Sequence, residues 1–283
     1  MTADALSSAC TAAEDPPVRA AAPSAPRVLA RTLAMEWTKL ASLRSTWWCL
    51  GLGLAAMSAF ALLMGISTAD RFAEDPVAGS EFSYAQLTSQ GVFYLVQFVV
   101  LTLSALAATN EYATRAITTT LQTVPRRGLV LAARTAVTAC LAFVAGAGTT
   151  ALGIGVLWGA LRSYAPLEAE YAVTTVLGAG VCMAVLAVLF AGLGTAMRGT
   201  AATIGAGFLL LLGIPMVLQL SGLQALNDAA AYLPGMAAIE VYAGGDAGFY
   251  TAPHDGPVNL VTVLGWAAAA QLVAYTEMRV RDT

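Results

Sequence analysis

The sequence predicts an all-α integral membrane protein, and three observations carry that reading. Apolar residues make up 58% of the chain and charged residues only 11%, against roughly 25% charged in a soluble domain. Six apolar runs reach the ~20 residues that a helix needs to cross a hydrocarbon core. The polar connections between those runs alternate between basic and acidic. A mean hydropathy of +0.71 agrees, while the net charge of −3 matters less than where the charges stand.

The elements follow in chain order. Residues 1–26 are rich in Ala, Pro and Ser without periodicity, which predicts a disordered tail ahead of a membrane domain at 27–283. A signal peptide is disfavoured, because no apolar region of about 7–15 residues lies near the start. The stretch RVLARTLAMEWTKLASLRSTWW comes next. Its Leu29, Leu33, Trp37, Leu40 and Trp47 recur near helical spacing, with Arg27, Arg31, Lys39 and Arg44 mainly elsewhere on the wheel. That pattern predicts an interfacial amphipathic helix leading into the Trp47–Trp48 belt.

The spans lie near 47–67, 91–109, 135–160, 171–196, 201–220 and 258–275, and none carries an acidic or basic residue near its middle. Each such charge costs about 2.5–3.5 kcal/mol on insertion scales, so their absence from every run is informative. Pro215 predicts a kink in the fifth span. Between spans five and six, LQALNDAAAYLPGMAAIEVYAGG predicts short helices lying at the outer face or dipping back into it.

An even number of spans places both termini on one side, and the basic residues choose that side. With the termini cytoplasmic, every basic residue falls inside except Arg71 and Arg162. The outside connections are acidic instead, and Glu240 is counted among them. The segment NEYATRAITTTLQTVPRRG, after span two, is therefore cytoplasmic.

That segment reads as a helix. Tyr112, Arg115 and Thr119 share one flank, Ile117, Leu121 and Val124 form an apolar strip, and Pro125 ends it before Arg126 and Arg127. Such a helix presents a partly polar knob to a cytosolic protein; alternatively it is a basic loop that only fixes topology. The helix around Trp37, Lys39 and Arg44 has the same two readings, docking element or plain anchor.

Other chemistries find little support. Lys39 is the only lysine and no glycine-rich loop precedes it, so a Walker A phosphate loop is excluded and ATP hydrolysis by that route with it. His254 is the sole histidine and lies in an external loop, which excludes a histidine triad within the membrane. The four cysteines form no C-x-x-C pair and read as buried thiols packing as small hydrophobes, with no metal site. The spans show no charged relay of the kind an ion-coupled transporter needs. Their polar groups are uncharged, such as Gln97, Gln219 and Gln271, and Gln97, farthest from a span end, is the candidate for a pathway or an interhelical contact.

EWTKLASLRSTWW before span one, NEYATRAITTTLQTVPRR after span two and AYLPGMAAIEVYAG before span six stand in a distinctive order. Together they resemble the type-2 permease family of ATP-binding-cassette transporters. Glu111, Tyr112, Ile117, Leu121, Pro125 and Arg126 match that family's motif after span two, and Tyr232, Leu233 and Pro234 match its external segment. The chain departs from the pattern at Arg115-Ala116-Ile117, where many members have Gly-Thr-Ile.

The resemblance implies a multi-pass subunit of the plasma membrane, paired with a second permease as homodimer or heterodimer. It implies an exporter whose work comes from a separate ATPase docked on Glu111–Arg127 and the Trp37 helix. The chain itself would be no enzyme, would bind no cofactor and no nucleic acid, and would leave ATP and magnesium to that partner. Two rivals stay open: a non-transporting anchor or assembly protein in the same bilayer, and an ion-coupled secondary transporter.

Overall fold

The computed structural model describes residues 25–74, 82–113, 127–245, 253 and 255–280. Regular structure among the described residues is helical throughout. Helix α1 (Ala25–Ser42) turns at Leu43 into α2 (Arg44–Glu74). The second span is built from α3 (Tyr84–Gly91), a π turn at Val92–Val96, and α4 (Gln97–Ala113). Helices α5 (Arg127–Leu161) and α6 (Ala169–Met197) form spans three and four. The fifth comprises α7 (Thr200–Phe208), a second π turn at Leu209–Gly213, and α8 (Ile214–Leu220). The short helices α9 (Gln224–Ala231) and α10 (Pro234–Ala243) precede α11 (Gly256–Val280).

Six of these segments are long and apolar enough to cross a membrane: Arg44–Glu74, Tyr84–Tyr112, Gly128–Leu161, Ala169–Met197, Thr200–Leu220 and Gly256–Val280. This is a multi-pass helical membrane protein. Most of the helices outlast the apolar runs that announce them, because backbone hydrogen bonding continues through polar turns such as Asp70–Glu74.

Helix α6 is the axis of the bundle. It packs against α4, α5, α10 and α11, and buries Met183, Leu186 and Phe190 completely. A helix surrounded this way must be apolar on every face, and α6 is. Close approach replaces hydrophobic drive between helices in lipid, so small residues mark the crossings. At Gly192 an added Cβ would stand 2.8 Å from the backbone carbon of Ala270 on α11. The crossing of these two spans requires the glycine.

The irregularity expected at Pro215 takes the form of the π turn Leu209–Gly213, which delivers Pro215 to the first turn of α8. Proline lacks a donor and its ring crowds the carbonyl four residues back; the wider turn around Leu211 meets both constraints.

The α9–α10 hairpin dips inward. The indole of Trp266 donates to the Tyr232 carbonyl at 2.8 Å, ten residues along α11 from Gly256. At 1.5 Å per residue the hairpin tip therefore lies about 15 Å down that span. The tip itself stays open, with Tyr232 49% exposed, while α10 beyond it is buried almost throughout, and an added Cβ at Gly235 would meet the Leu211 carbonyl oxygen at 2.7 Å.

Two expectations change. Glu240, counted among the acids of the outside connections, is 1% exposed within α10. The cysteines differ among themselves: Cys182 is buried, Cys49 half-buried and Cys140 exposed, facing outward from an apolar helix; Cys10 lies outside the described residues.

Candidate functional site

At the end of the bundle that carries α1, four charged side chains converge. Glu36 comes from α1, with Lys39 one turn later, Glu111 from the last turns of α4 and Arg134 from the start of α5. Lys39 bonds Glu36 at 2.8 Å and also reaches Glu111, whose second oxygen meets the Arg134 guanidinium. Arg134 stands 3.8 Å from Glu36 and donates at 3.3 Å to the Ala108 carbonyl. Glu36, Glu111 and Arg134 are buried, and Lys39 is half-buried. Two cations face two anions, so the cluster is balanced, as buried charge must be. A cavity of about 240 Å³ opens beside it.

This cluster explains how α1 is held. Its inward face is Thr32, Glu36 and Leu40, at four-residue spacing. Leu29 and Trp37, expected on one apolar stripe with Leu40, are exposed at 39% and 52%. An ion pair to α5 therefore sets the rotation of α1 and leaves its aromatic side outward. The indole of Trp47 donates to the Ala41 carbonyl at 2.9 Å, and Arg44 is exposed at the start of α2.

A second set of contacts joins the same end of the bundle. Arg198, the left-handed residue (φ 55°, ψ 13°) that ends α6, places its guanidinium 5.4 Å over the Tyr112 ring. Its Nη2 lies 3.5 Å from the Glu277 carbonyl on α11, and Thr109 and Thr200 share a 2.5 Å hydrogen bond. The ends of spans two, four, five and six are thereby cross-tied within one turn of each other.

Of the residues singled out in the sequence, the structure brings Lys39, Glu111 and Tyr112 into these contacts. Glu111 is turned inward, with its carboxylate on Lys39 and Arg134. Arg115, Ile117, Leu121, Pro125 and Arg126 lie outside the described residues, and Arg127 opens α5. Gln97 is fully buried in span two, and neither its amide oxygen nor its nitrogen has a partner among the described residues. By contrast Gln271 donates to the Val188 carbonyl at 2.7 Å, and Gln219 approaches the Met236 sulfur at 3.5 Å.

Sequence reasoning missed Glu36, Arg134 and Arg198 as partners. Arg134 and Arg198 were counted only for their charge. The available signal was Glu36 on the same helical row as Thr32 and Leu40, an acid where a burying face runs. No family model matches the sequence, and no curated protein matches it.

Proposed function

We propose that this chain is the transmembrane permease subunit of an ATP-driven transporter. It works as an exporter in the plasma membrane, with both termini cytoplasmic, beside a second permease and a separate ATPase that binds ATP and magnesium. The observation that supports this most is the clasp on Glu111. The cytoplasmic segment 110–127 leaves span two where Glu111 is tied to α1 through Lys39 and to α5 through Arg134. A partner that pulls on this segment pulls on three elements at once, and rigid-body tilting follows from such a linkage. Glu111 then acts as the joint, while Tyr112, Arg115, Ile117, Leu121, Pro125, Arg126 and Arg127 supply the surface the ATPase touches.

Isolation of the full chain from its native membrane tests this reading. An ATPase should co-purify, and Arg126→Ala with Arg127→Ala should weaken both its retention and its stimulated hydrolysis. Retention and hydrolysis both unchanged would defeat the docking role. Uphill solute movement by the chain alone in liposomes would defeat the whole reading.

One observation favours a second reading, an ion-coupled transporter. Glu240 places a carboxyl inside the packed domain, where ionisable groups are costly and mark ion paths. Transport that persists without ATP and stops when Glu240→Gln is introduced would favour it.

A further inference from the structure

A π turn is an α-helix carrying one extra residue in its wall, and such turns are frequent at functional sites. In span two the π turn Val92–Val96 delivers Gln97 as the next residue. Among the described residues Gln97 is sealed with both amide atoms unpartnered, and Ser104, two turns further along the same row, has an unpartnered hydroxyl at 0% exposure. Buried polar groups without partners oppose folding, and each one calls for an explanation. Both lie in the half of span two that follows the π turn; the half before it holds one such group, the hydroxyl of Thr88.

The turn also lies between two fixed points. On one side the Ser89 hydroxyl donates to the Tyr242 carbonyl of α10 at 3.4 Å. On the other, Glu111 is held by Lys39 and Arg134. Span five carries its own π turn, and the two irregular spans touch where the rings of Phe98 and Phe208 stand 5.4 Å apart. Phe208 directly precedes the π turn of span five, and Phe98 follows that of span two by two residues.

We propose that the π turn Val92–Val96 is a torsional joint. Its conversion to α-helix turns the Gln97–Ala113 half of span two by about one residue step, roughly 100°. Gln97 then takes the angular position now held by Phe98, half-buried against span five, where its amide bonds water or a neutral polar group of a solute. The carboxamide offers donors and an acceptor but no charge, so this contact suits hydroxyl- or amide-bearing groups rather than bare ions. In the described state, apolar packing of Val96, Val100 and Leu101 opposes the turn, and the clasp on Glu111 blocks it. Release of that clasp by a docked ATPase rests on the function proposed above; the joint itself rests on span two alone.

The test uses the full chain in membrane vesicles, with its native cysteines replaced by alanine and Gln97→Cys introduced. The probe is a charged, water-soluble methanethiosulfonate. Glu111→Ala releases the clasp and should speed labelling at least tenfold; deleting Tyr94, 44% exposed within the π turn, removes the extra residue, keeps Gln97 in its present register and should cancel that gain. Equal labelling of Glu111→Ala with and without Tyr94 overturns the joint. Should the shortened chain not fold, Gln97→Leu decides: it should raise the unfolding temperature of the described state, and no increase overturns the proposal. Tenfold faster labelling without any co-purifying ATPase would spare the joint and sink only the coupling reading.

Discussion

Arg134 and Glu111 form an ion pair buried where spans two and three meet, and the pair is completed by Glu36 and Lys39 from α1. Its members are unequal. Arg134 is 3% exposed, and loss of Glu111 leaves its charge with Glu36 alone, at 3.8 Å. Breaking one partner of a buried pair costs about 3–5 kcal/mol, because the survivor is stranded. Glu111→Ala should therefore lower the thermal unfolding midpoint sharply in detergent. Lys39→Ala leaves two buried carboxylates to Arg134, but at a half-buried position that water can refill, so it should cost less than Glu111→Ala. Equal losses for the two variants would mean that the cluster does not organise this end of the bundle.

The same pair predicts an asymmetry between breaking and replacing. The combined variant Glu111→Leu and Arg134→Met removes both charges and keeps apolar volume. Such exchanges are often neutral or stabilising by about 1–4 kcal/mol. The combined variant should unfold at or above the midpoint of Glu111→Ala. A combined loss larger than that of the single variant would show that the charges give more than mutual neutralisation.

Gly192 and Gly205 separate close approach from helix propensity. An added Cβ at Gly192 would press on the Ala270 backbone, whereas none would be met within 4 Å at Gly205. Gly192→Ala should destabilise by about 1–3 kcal/mol through overpacking. Gly205→Ala should stabilise by about 0.5–1 kcal/mol, because alanine loses less freedom in a helix. Thermal unfolding of the two variants in one detergent checks the opposite signs.

The spans were legible because hydropathy alone selects them: a run such as that inside Ala169–Met197 has no other solvent to meet. The dip of α9–α10 was legible as short helices but not as a depth, since depth depends on Trp266 reaching Tyr232 across a long sequence separation. The burial of Glu240 was hidden for the same reason. Its neighbours in sequence read as a connection, while its neighbours in space are α6 and α11. The charged cluster was half legible. Glu111 and Lys39 were singled out, but Arg134 carried the same weight as any inside arginine until the fold paired it. The π turn before Gln97 left no compositional mark, unlike the second one, which Pro215 announces.

Tyr242 offers a test of how α10 is seated. It is fully buried, and its hydroxyl has no hydrogen-bond partner among the described residues. Burial pushes its phenol well above its ordinary range, with Cys182 and Glu240 adding to the effect, so the group stays neutral and keeps its proton. Tyr242→Phe removes only that hydroxyl and should stabilise the fold by about 1 kcal/mol. A loss of stability instead would reveal a hydrogen bond that holds the hairpin.

Arg198 combines a backbone cost with a side-chain gain, and two substitutions separate them. Its φ of 55° is the left-handed conformation that closes α6, with its amide bonded to the Gly194 carbonyl at 2.9 Å. A non-glycine residue pays about 1 kcal/mol there. Against this stand the contacts of its guanidinium with the Tyr112 ring and the Glu277 carbonyl. Arg198→Gly loses the contacts and recovers the backbone cost, so its stability should stay within about 1 kcal/mol of the parent. Arg198→Ala loses the contacts and keeps the cost, so it should fall about 1 kcal/mol below the glycine variant. Arg198→Lys keeps a cation over Tyr112 and should lie above alanine. If alanine and glycine unfold together, the turn between spans four and five is not held in the left-handed form.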